Sequence, residues 1–168
     1  GAKFKLKNNK NLPLEILGSP KLKPIKYFEK KGSAQCKSAA ILGALRTNGT
    51  SFIKAKKSRN HTEQMMKNLN LPINVKSKKE YDYIKVEKAK KIKKLIYNIP
   101  SDISSSAFFM ILTALSKDSE LVIKNVNINS SRIGVITILK KMGVKIIFQN
   151  KKLYKGEKIA DIKIKNSK

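Results

Sequence analysis

Two short polar stretches hold the side chains of this sequence that are best suited to bind a small anionic ligand. Ser33, Ala34 and Gln35 open an apolar helical segment, and Ser58 and Arg59 precede a second helical segment. A serine at a helix start lies beside free N–H groups, and an arginine can offer two parallel donors to one anion. The same residue types also occur as a simple helix cap and as a solvated surface arginine. The residues alone leave both interpretations open.

A single cysteine and a single histidine limit the other chemistry that the chain can carry. Because Cys36 is the only cysteine, an internal disulfide and a thiol-rich metal site are excluded. A nucleophilic pair of Cys36 and His61 would need a third orienting group, and a cysteine at the start of an apolar helix usually just packs. Glu63 lies in a first helical turn, where it would complement the helix dipole. We therefore predict no catalytic residue and no metal ligand.

The formal charge of +27 raises the question of a nucleic-acid ligand, because cationic side chains dominate the affinity for phosphate backbones. All but three of the 38 basic residues are lysine, whereas nucleic-acid surfaces favour arginine. Lysine, asparagine and isoleucine are also the residues of A/T-rich codons, so genome composition explains the charge more simply. We favour that explanation over nucleic-acid binding and keep a basic module that binds nucleic acid or another anion as the alternative function.

Hydropathy indicates a cytoplasmic protein without membrane contact. No apolar run approaches the ~20 residues that a bilayer crossing requires, and the basic start of the chain is not followed by the apolar region of a signal peptide. Residues 1–11 are interpreted as a basic amino-terminal segment, with a strand and with Gly1 as a remnant of a tag.

The chain repeats one pattern of strands and helices. Ile41-Leu42, Ala44-Leu45 and Ile53-Lys54 recur as Ile111-Leu112, Ala114-Leu115 and Ile123-Lys124, at a spacing of 70 residues. The pattern predicts two βαβαββ units, one over 12–88 and one over 89–168. The predicted strands lie at 12–17, 25–30, 51–55, 73–76, 83–87, 92–99, 120–124, 144–148 and 162–165, and the predicted helices at 33–46, 60–69, 104–116 and 131–142. Ser130 or Ser131 is placed to cap the last helix.

The polarity pattern places the helices in the interior. Residues 39–45 and 107–115 carry no charge on any side, whereas residues 83–87 and 161–165 alternate polar with apolar side chains. Alternation leaves each strand one wet face, and a helix without a polar face is buried. The predicted fold class is α/β with two inside-out units, in which helices are buried and sheets lie outside. Uncovered unit edges would promote self-association.

Four motifs give this pattern a family resemblance. Residues 33–39 resemble the SAQ-x-KSA segment of the 3-phosphoshikimate 1-carboxyvinyltransferase (EPSP synthase) family, and residues 58–63 resemble its SR-[DN]-HTE segment. Residues 102–109 are similar to its DISSAAFF stretch, and residues 125–143 to its KNV-x-x-N turn, arginine and K-x-MG ending. The motifs keep the family's order over most of residues 12–148, and inside-out βαβαββ units are the architecture of the enolpyruvyl transferases.

The resemblance implies transfer of the enolpyruvyl group of phosphoenolpyruvate to the 5-hydroxyl of shikimate 3-phosphate, in aromatic amino-acid biosynthesis, with no redox cofactor. It implies that Ser33, Ala34 and Gln35 bind shikimate 3-phosphate, with Gln35 also near phosphoenolpyruvate. Ser58 and Arg59 are implied to bind the same substrate near its phosphate. The family enzyme is longer, and its Gly-rich loop and Lys-Glu-Ser-Asp-Arg stretch are not found in this sequence. We therefore expect this internal fragment to be inactive by itself, because proton transfer and charge stabilisation are missing.

Overall fold

The chain forms a mixed α/β structure with two compact units, as described by a computed structural model. The structure describes residues 1–8 and 10–167. Unit 1 comprises Gly1–Ser58 and Asn70–Lys93, and unit 2 comprises Arg59–Leu69 and Lys94–Lys168. Among the described helices, none combines the length and the apolar content that a membrane crossing demands. The repeat boundaries at residues 12, 88 and 89 stay a prediction.

Unit 1 contains a short hairpin and a four-stranded sheet. The hairpin pairs β1 (Lys3–Lys7) with β2 (Asn11–Leu17) in antiparallel register, so the predicted strand at 12–17 is confirmed. The elements of the larger sheet and its helix are β3 (Lys26–Glu29), α1 (Ala34–Ala44), β4 (Ser51–Lys56), β5 (Ile73–Lys78) and β6 (Tyr81–Val86), with strand order β3-β4-β6-β5. In this sheet β3 and β4 are parallel and are joined by helix α1, while the other pairs are antiparallel.

One face of this sheet packs against α1. Strand alternation turns Ile53, Ala55, Ile84 and Val86 toward the helix, where all four are buried. Helix α1 buries Ile41 and its neighbours on the facing side. Burial of each large aliphatic side chain stabilises the unit by about 1.5–3 kcal/mol. This packing holds the amino end of α1 at the edge of the sheet.

Unit 2 contains a three-stranded antiparallel sheet and three helices. The elements are α2 (His61–Asn68), α3 (Ile103–Leu115), β7 (Glu120–Asn127), α4 (Gly134–Lys141), β8 (Ile146–Tyr154) and β9 (Glu157–Lys165). The strand order is β7-β9-β8, so the last of these strands lies in the middle of the sheet. The core of this unit consists of Ile103, Met110, Ala114, Val126, Ile136, Leu139, Val144, Ile146, Ile162 and Ile164. The predicted helix at 60–69 is confirmed, and it lies in unit 2.

Helix α3 is buried on one side and exposed on the other. Met110 is fully buried on the inner side, whereas Phe108 is 78% exposed and Leu115 is 81% exposed on the outer side. Helix α1 likewise exposes Leu42 at 56%. The described residues therefore cover one side of each apolar helix and leave the other side in contact with water.

The predicted strand at 92–99 is wrong. Residues 92–99 have no strand structure, and only Ser101 beyond them forms a single parallel bridge, with Val126. Contacts with the Tyr154 side chain, and not strand pairing, fix this segment. The Tyr97 and Tyr154 rings pack with their centroids 5.4 Å apart, and the Asn98 N–H donates to the Tyr154 hydroxyl at 3.1 Å. The segment is rich in isoleucine, as strands often are, but its backbone found no second strand to pair with.

The predicted serine cap of the last helix is also wrong. Helix α4 begins at Gly134 after Ile133, and residues 130–133 form a turn. The N–H and the hydroxyl of Ser131 both donate to the Asn129 side-chain oxygen, at 2.9 and 2.8 Å. A cap would need the Ser131 Oγ to accept from a backbone N–H of the first helical turn, but the helix begins only at Gly134, after Ile133.

Asp161 joins the three strands of the unit 2 sheet. It lies on the central strand, and its carboxylate accepts hydrogen bonds from the Asn125 N–H at 2.8 Å and from the Asn150 side chain at 2.8 Å. Asn125 and Asn150 both have positive φ, at the points where the registers of β7 and β8 shift. The hydrogen bonds from Asn125 and Asn150, together with Lys124 at 3.1 Å, lower the pKa of Asp161 to about 2.

We predict that Asp161→Asn weakens the fold and changes its response to acid. Because the folded pKa lies below the ordinary value of 3.8, the ionised carboxylate stabilises the fold above pH 3.8, and this stabilisation disappears as the pH falls toward about 2. The substitution should lower Tm at pH 7 and flatten the decline of stability over that acid range. Thermal melts from pH 2 to pH 7 would measure both, with the exposed Asp118→Asn as the control. Equal acid declines for Asp161→Asn and the wild type would contradict this role.

We predict that the purified chain self-associates through the exposed side of α3. Phe108 and Leu115 expose apolar area that association would remove from water. Size-exclusion chromatography with light scattering should give a mass above 18.9 kDa that falls toward the monomer in Phe108→Gln/Leu115→Gln. A monomeric wild type at micromolar concentration would refute the prediction.

Candidate functional site

Ser33 is held at the start of α1 by a buried carboxylate. Glu29, at the end of β3, is 4% exposed, and its two oxygens accept from the N–H groups of Lys31 at 2.9 Å and Gly32 at 2.7 Å. Burial alone would raise the pKa of Glu29, but hydrogen bonds from the backbone of residues 31–33 and the charge of Lys37 give a net downward shift. The loop between β3 and α1 is therefore wrapped around one ionised side chain.

The Ser33 hydroxyl caps α1 and keeps its hydrogen for another acceptor. Its oxygen accepts from the Cys36 N–H at 3.2 Å, and its backbone is extended as a cap requires. A hydroxyl that accepts in this way can still donate its own hydrogen. The first turn of α1 carries no acidic side chain. The positive end of the helix is therefore suited to an anion.

Ala34 and Gln35 follow Ser33 but contribute differently. Ala34 is buried in the packing of α1. Its side chain is a methyl group, and its backbone is therefore the only polar group that it can offer. Gln35 is exposed in the first turn of the helix. Ser33, Ala34 and Gln35 are thus brought together at one helix end. Their role in binding a substrate remains a prediction.

Lys37 is a buried cation beneath this helix end, which the sequence did not reveal. The residue is fully buried, and its Nζ lies 4.0 Å from the Asp82 carboxylate. Asp82 also accepts from the Ser77 hydroxyl at 2.5 Å. The signal was present in the spacing, since Lys37 stands on the same helical face as the buried Ala34 and Ile41. Lys37 thus balances the carboxylates of Asp82 and Glu29.

Ser58 and Arg59 are adjacent in sequence and belong to different compact units. Ser58 follows β4 in unit 1, and its Oγ is shielded from water without a hydrogen-bond partner among the described residues. Leaving a buried hydroxyl unpaired costs about 1–3 kcal/mol. Arg59 begins the segment of unit 2 that leads into α2.

Arg59 lines a cavity of about 590 Å³ in unit 2 together with Arg132. The chain contains only three arginines, so two of them lie at one cavity. The remaining lining residues are Ser104, Ala107, Ser131, Gly134 and Val135. No acidic residue lines it, and the cavity can accept an anion with two guanidinium groups and the Ser104 hydroxyl, whereas the Ser131 hydroxyl already donates to Asn129. Neither Arg132 nor Ser104 was predicted from the sequence to bind a ligand, although the rarity of arginine in this chain could have pointed to Arg132.

A hydrogen-bond network fixes Arg132 at this cavity. Its Nη2 donates to Asp102 at 2.8 Å and to the Ser104 hydroxyl at 2.6 Å. Asp102 also caps α3 by accepting from the Ser105 N–H at 2.9 Å. This N–H bond is the largest cause that lowers the pKa of Asp102, and the Arg132 charge adds to it. Asp102 therefore stays ionised and orients the guanidinium group.

The segment that carries Arg59 is anchored by the chain's histidine. The Nδ1 of His61 lies 2.5 Å from a carboxylate oxygen of the buried Glu157, and the Asn129 amide donates to the Asn60 side chain at 2.8 Å. Gly156 has φ +89°, and a Cβ there would lie 3.2 Å from the Gln64 carbonyl oxygen. The turn before β9 therefore approaches α2 too closely for a side chain. These contacts give His61 a positioning role.

Metal ligands are not grouped in the described part of the chain. Across residues 1–8 and 10–167, no three His, Cys, Asp or Glu side chains lie close enough to hold one ion. Cys36 is exposed as a free thiol and does not pack in the core as its position suggested.

The family model of EPSP synthase (3-phosphoshikimate 1-carboxyvinyltransferase) matches residues 1–167. Proteins named 3-phosphoshikimate 1-carboxyvinyltransferase include those of Petrotoga mobilis, 36% identical over 99% of this chain and 38% of that protein, and Caldicellulosiruptor bescii, 40% identical over 99% and 39%. The chain thus spans about 38% of the length of these curated relatives.

Solved structures agree with the sequence matches. EPSP synthase from Acinetobacter baumannii has a TM-score of 0.82 and 35% identity, covering 98% of this chain and 37% of that one. The enolpyruvyl transferase NikO from Streptomyces tendae has a TM-score of 0.64 at 13% identity, covering 99% and 39%, which shows the fold alone. The predicted enolpyruvyl transferase fold is confirmed.

We predict that Glu29→Gln loosens the loop before α1. A neutral amide is a weaker acceptor than a carboxylate, and hydrogen bonds to a charged group contribute about 1.5–3 kcal/mol. Hydrogen exchange at the Lys31 and Gly32 amides should accelerate by about tenfold or more. The exposed Glu80→Gln should leave these rates unchanged, and unaltered rates in Glu29→Gln would remove the carboxylate from this role.

Proposed function

The chain belongs to the EPSP synthase family, and from that membership we propose that it forms part of a cytoplasmic transferase acting in aromatic amino-acid biosynthesis. The reaction moves the enolpyruvyl group of phosphoenolpyruvate to the 5-hydroxyl of shikimate 3-phosphate and releases phosphate. The family match over residues 1–167 is the observation that carries this proposal. The chain's own share of the task is to bind shikimate 3-phosphate.

The amino end of α1 contributes one part of that binding. Ser33 donates its hydroxyl hydrogen, and the free N–H groups of the first turn, including that of Ala34, face the substrate. Gln35 both donates and accepts, which suits a ring that carries hydroxyl groups and the nearby phosphoenolpyruvate. Support comes from the fixed loop around Glu29 and from the cap geometry of Ser33.

Ser58 and Arg59 contribute the second part, near the phosphate. The shielded Ser58 hydroxyl gains a hydrogen-bond partner when a phosphate oxygen reaches it. Arg59 binds the phosphate with two parallel donors. The cavity that Arg59 shares with Arg132 supports this assignment, because two guanidinium groups, one of them fixed by Asp102 and Ser104, favour a dianion over a neutral ligand.

Proton transfer is not part of this chain's proposed share. We assign no catalytic acid or base to the described residues, since His61 is bound to Glu157 and serves to position α2. Binding without proton transfer or charge stabilisation of the transition state gives little acceleration. The chain alone is therefore expected to bind substrate and to show no turnover.

We predict that the pure chain binds shikimate 3-phosphate and that Arg59→Ala weakens this binding by about tenfold or more. Loss of a charge-assisted hydrogen bond removes about 1.5–3 kcal/mol. Isothermal titration calorimetry measures the affinity, and Arg46→Ala is the matched control because Arg46 is exposed after α1 and does not line the cavity.

The two arginine variants separate a site from a general charge effect. Equal weakening by Arg46→Ala and Arg59→Ala would show that only net charge matters and would overturn the role of Arg59. A coupled assay of phosphate release with both substrates should give no signal above background. Turnover by the pure chain would contradict the limited share proposed for it.

A further inference from the structure

The outer face of the four-stranded sheet carries only lysine, aromatic and asparagine side chains. This face points away from α1 and is built from alternate residues of β3, β4, β6 and β5. We call it the lysine–aromatic face, and all of its positions lie among the described residues. In register across the strands its rows are Lys26, Phe52, Lys85 and Asn74, then Phe28, Lys54, Tyr83 and Lys76, then Lys56, Tyr81 and Lys78.

The rings of this face are open to solvent. Phe52 is 49% exposed, Tyr83 is 44% exposed and Phe28 is 40% exposed. They line an open cavity with a volume of about 700 Å³, together with lysines from all four strands. Exposed rings contribute little to the core, so their grouping on one sheet face indicates a binding surface.

Lys54 lies at the centre of the face, surrounded by rings. Its Nζ lies 4.6 Å from the centroid of Phe28 and 4.5 Å from that of Tyr81. Phe52 precedes it by two residues on the same strand, and Tyr83 lies directly opposite on β6. Phe52 and Tyr83 are thus diagonal neighbours, about 7–8 Å apart at the backbone. Two flat side chains therefore flank one cation at the middle of the sheet.

The charge of this face is not neutralised within it. Lys85 pairs with Glu87, which lies just beyond β6, at 2.6 Å, and none of the eleven positions is acidic. The unit 2 sheet differs, because there Glu120 binds Lys163 at 2.5 Å and Lys165 at 2.9 Å. A lysine-rich codon composition would supply both sheets alike. It does not by itself group four rings and six lysines, without an acidic side chain, on one sheet face.

We propose that the lysine–aromatic face binds single-stranded nucleic acid. Bases stack on Phe52 and Tyr83, and the phosphates lie against the surrounding lysines. Stacking requires bases that are not already paired, so a duplex offers the rings no partner. Lysine provides a point charge without the forked geometry that reads base edges, and the binding is therefore independent of sequence.

This activity is separate from the substrate site proposed above. It uses side chains on the outer face of the unit 1 sheet, which point away from α1, and it needs no phosphorylated small molecule. It also rests on a different observation from the sequence-based argument against nucleic-acid binding, which compared only the numbers of lysine and arginine. The new observation is the register that places four rings and six lysines on one face.

Fluorescence anisotropy with a labelled 12-nucleotide oligo(dT) at 50 mM salt tests the proposal. The double variant Phe52→Leu/Tyr83→Leu should weaken binding by about tenfold or more, since each base stack contributes about 1–3 kcal/mol. Leucine keeps an apolar side chain on the strand and removes the flat ring. Phe4→Leu is the matched control, because Phe4 is an exposed ring on β1, outside this face and outside the exposed side of α3, and it should bind as tightly as the wild type.

Two further comparisons complete the test. A 12-base-pair duplex should bind at least about tenfold more weakly than the single strand, and affinity for the single strand should fall linearly with salt on logarithmic axes. Circular dichroism and thermal melts establish that each variant is folded. If the double variant is unfolded, the single variants Phe52→Leu and Tyr83→Leu are measured in its place. Tight duplex binding, unchanged affinity in the ring variants, or no binding at 50 mM salt would each overturn the proposal.

Discussion

This chain contains 11 acidic and 38 basic residues. Five of the acidic residues are buried: Glu29, Glu63, Asp82, Glu157 and Asp161. A buried carboxylate is costly to maintain unless donors surround it. Glu29 and Asp161 meet that requirement with backbone N–H groups of turns and strand irregularities. In a chain with a large excess of cations, these few acceptors fix the irregular backbone around both sheets.

Carboxylates also position several of the groups that are proposed to bind an anion. Glu29 shapes the loop that ends at Ser33, and the exposed Asp102 orients Arg132. Glu157 holds His61, two residues after Arg59. Ser33, Arg132 and the segment that carries Arg59 are thus each held by a neighbouring carboxylate. An anion-binding site must be rigid, since flexible cations would lose conformational entropy on binding.

Hydropathy predicted much of this architecture because burial follows periodicity. The apolar runs at α1 and α3 and the alternation in β6 predicted helices that pack inward and one-sided strands, although each of these helices leaves one side exposed. The stretch 92–99 is rich in isoleucine, but pairing needs a second strand, which no local pattern can supply. Buried Lys37 and the cavity shared by Arg59 and Arg132 depend on contacts between distant residues. Composition alone could not place them.

The path of the chain has a consequence for how such a protein can be divided. The backbone passes between the compact units three times, at residues 58–59, 69–70 and 93–94. A gene cut once near codon 93 would keep α2 with the unit 1 sheet and separate it from the Gly156 turn against which it packs. The predicted repeat, with its boundary at residues 88–89, does not coincide with the compact units, and exchange of such repeats between relatives would have to transplant a helix together with its distant turn.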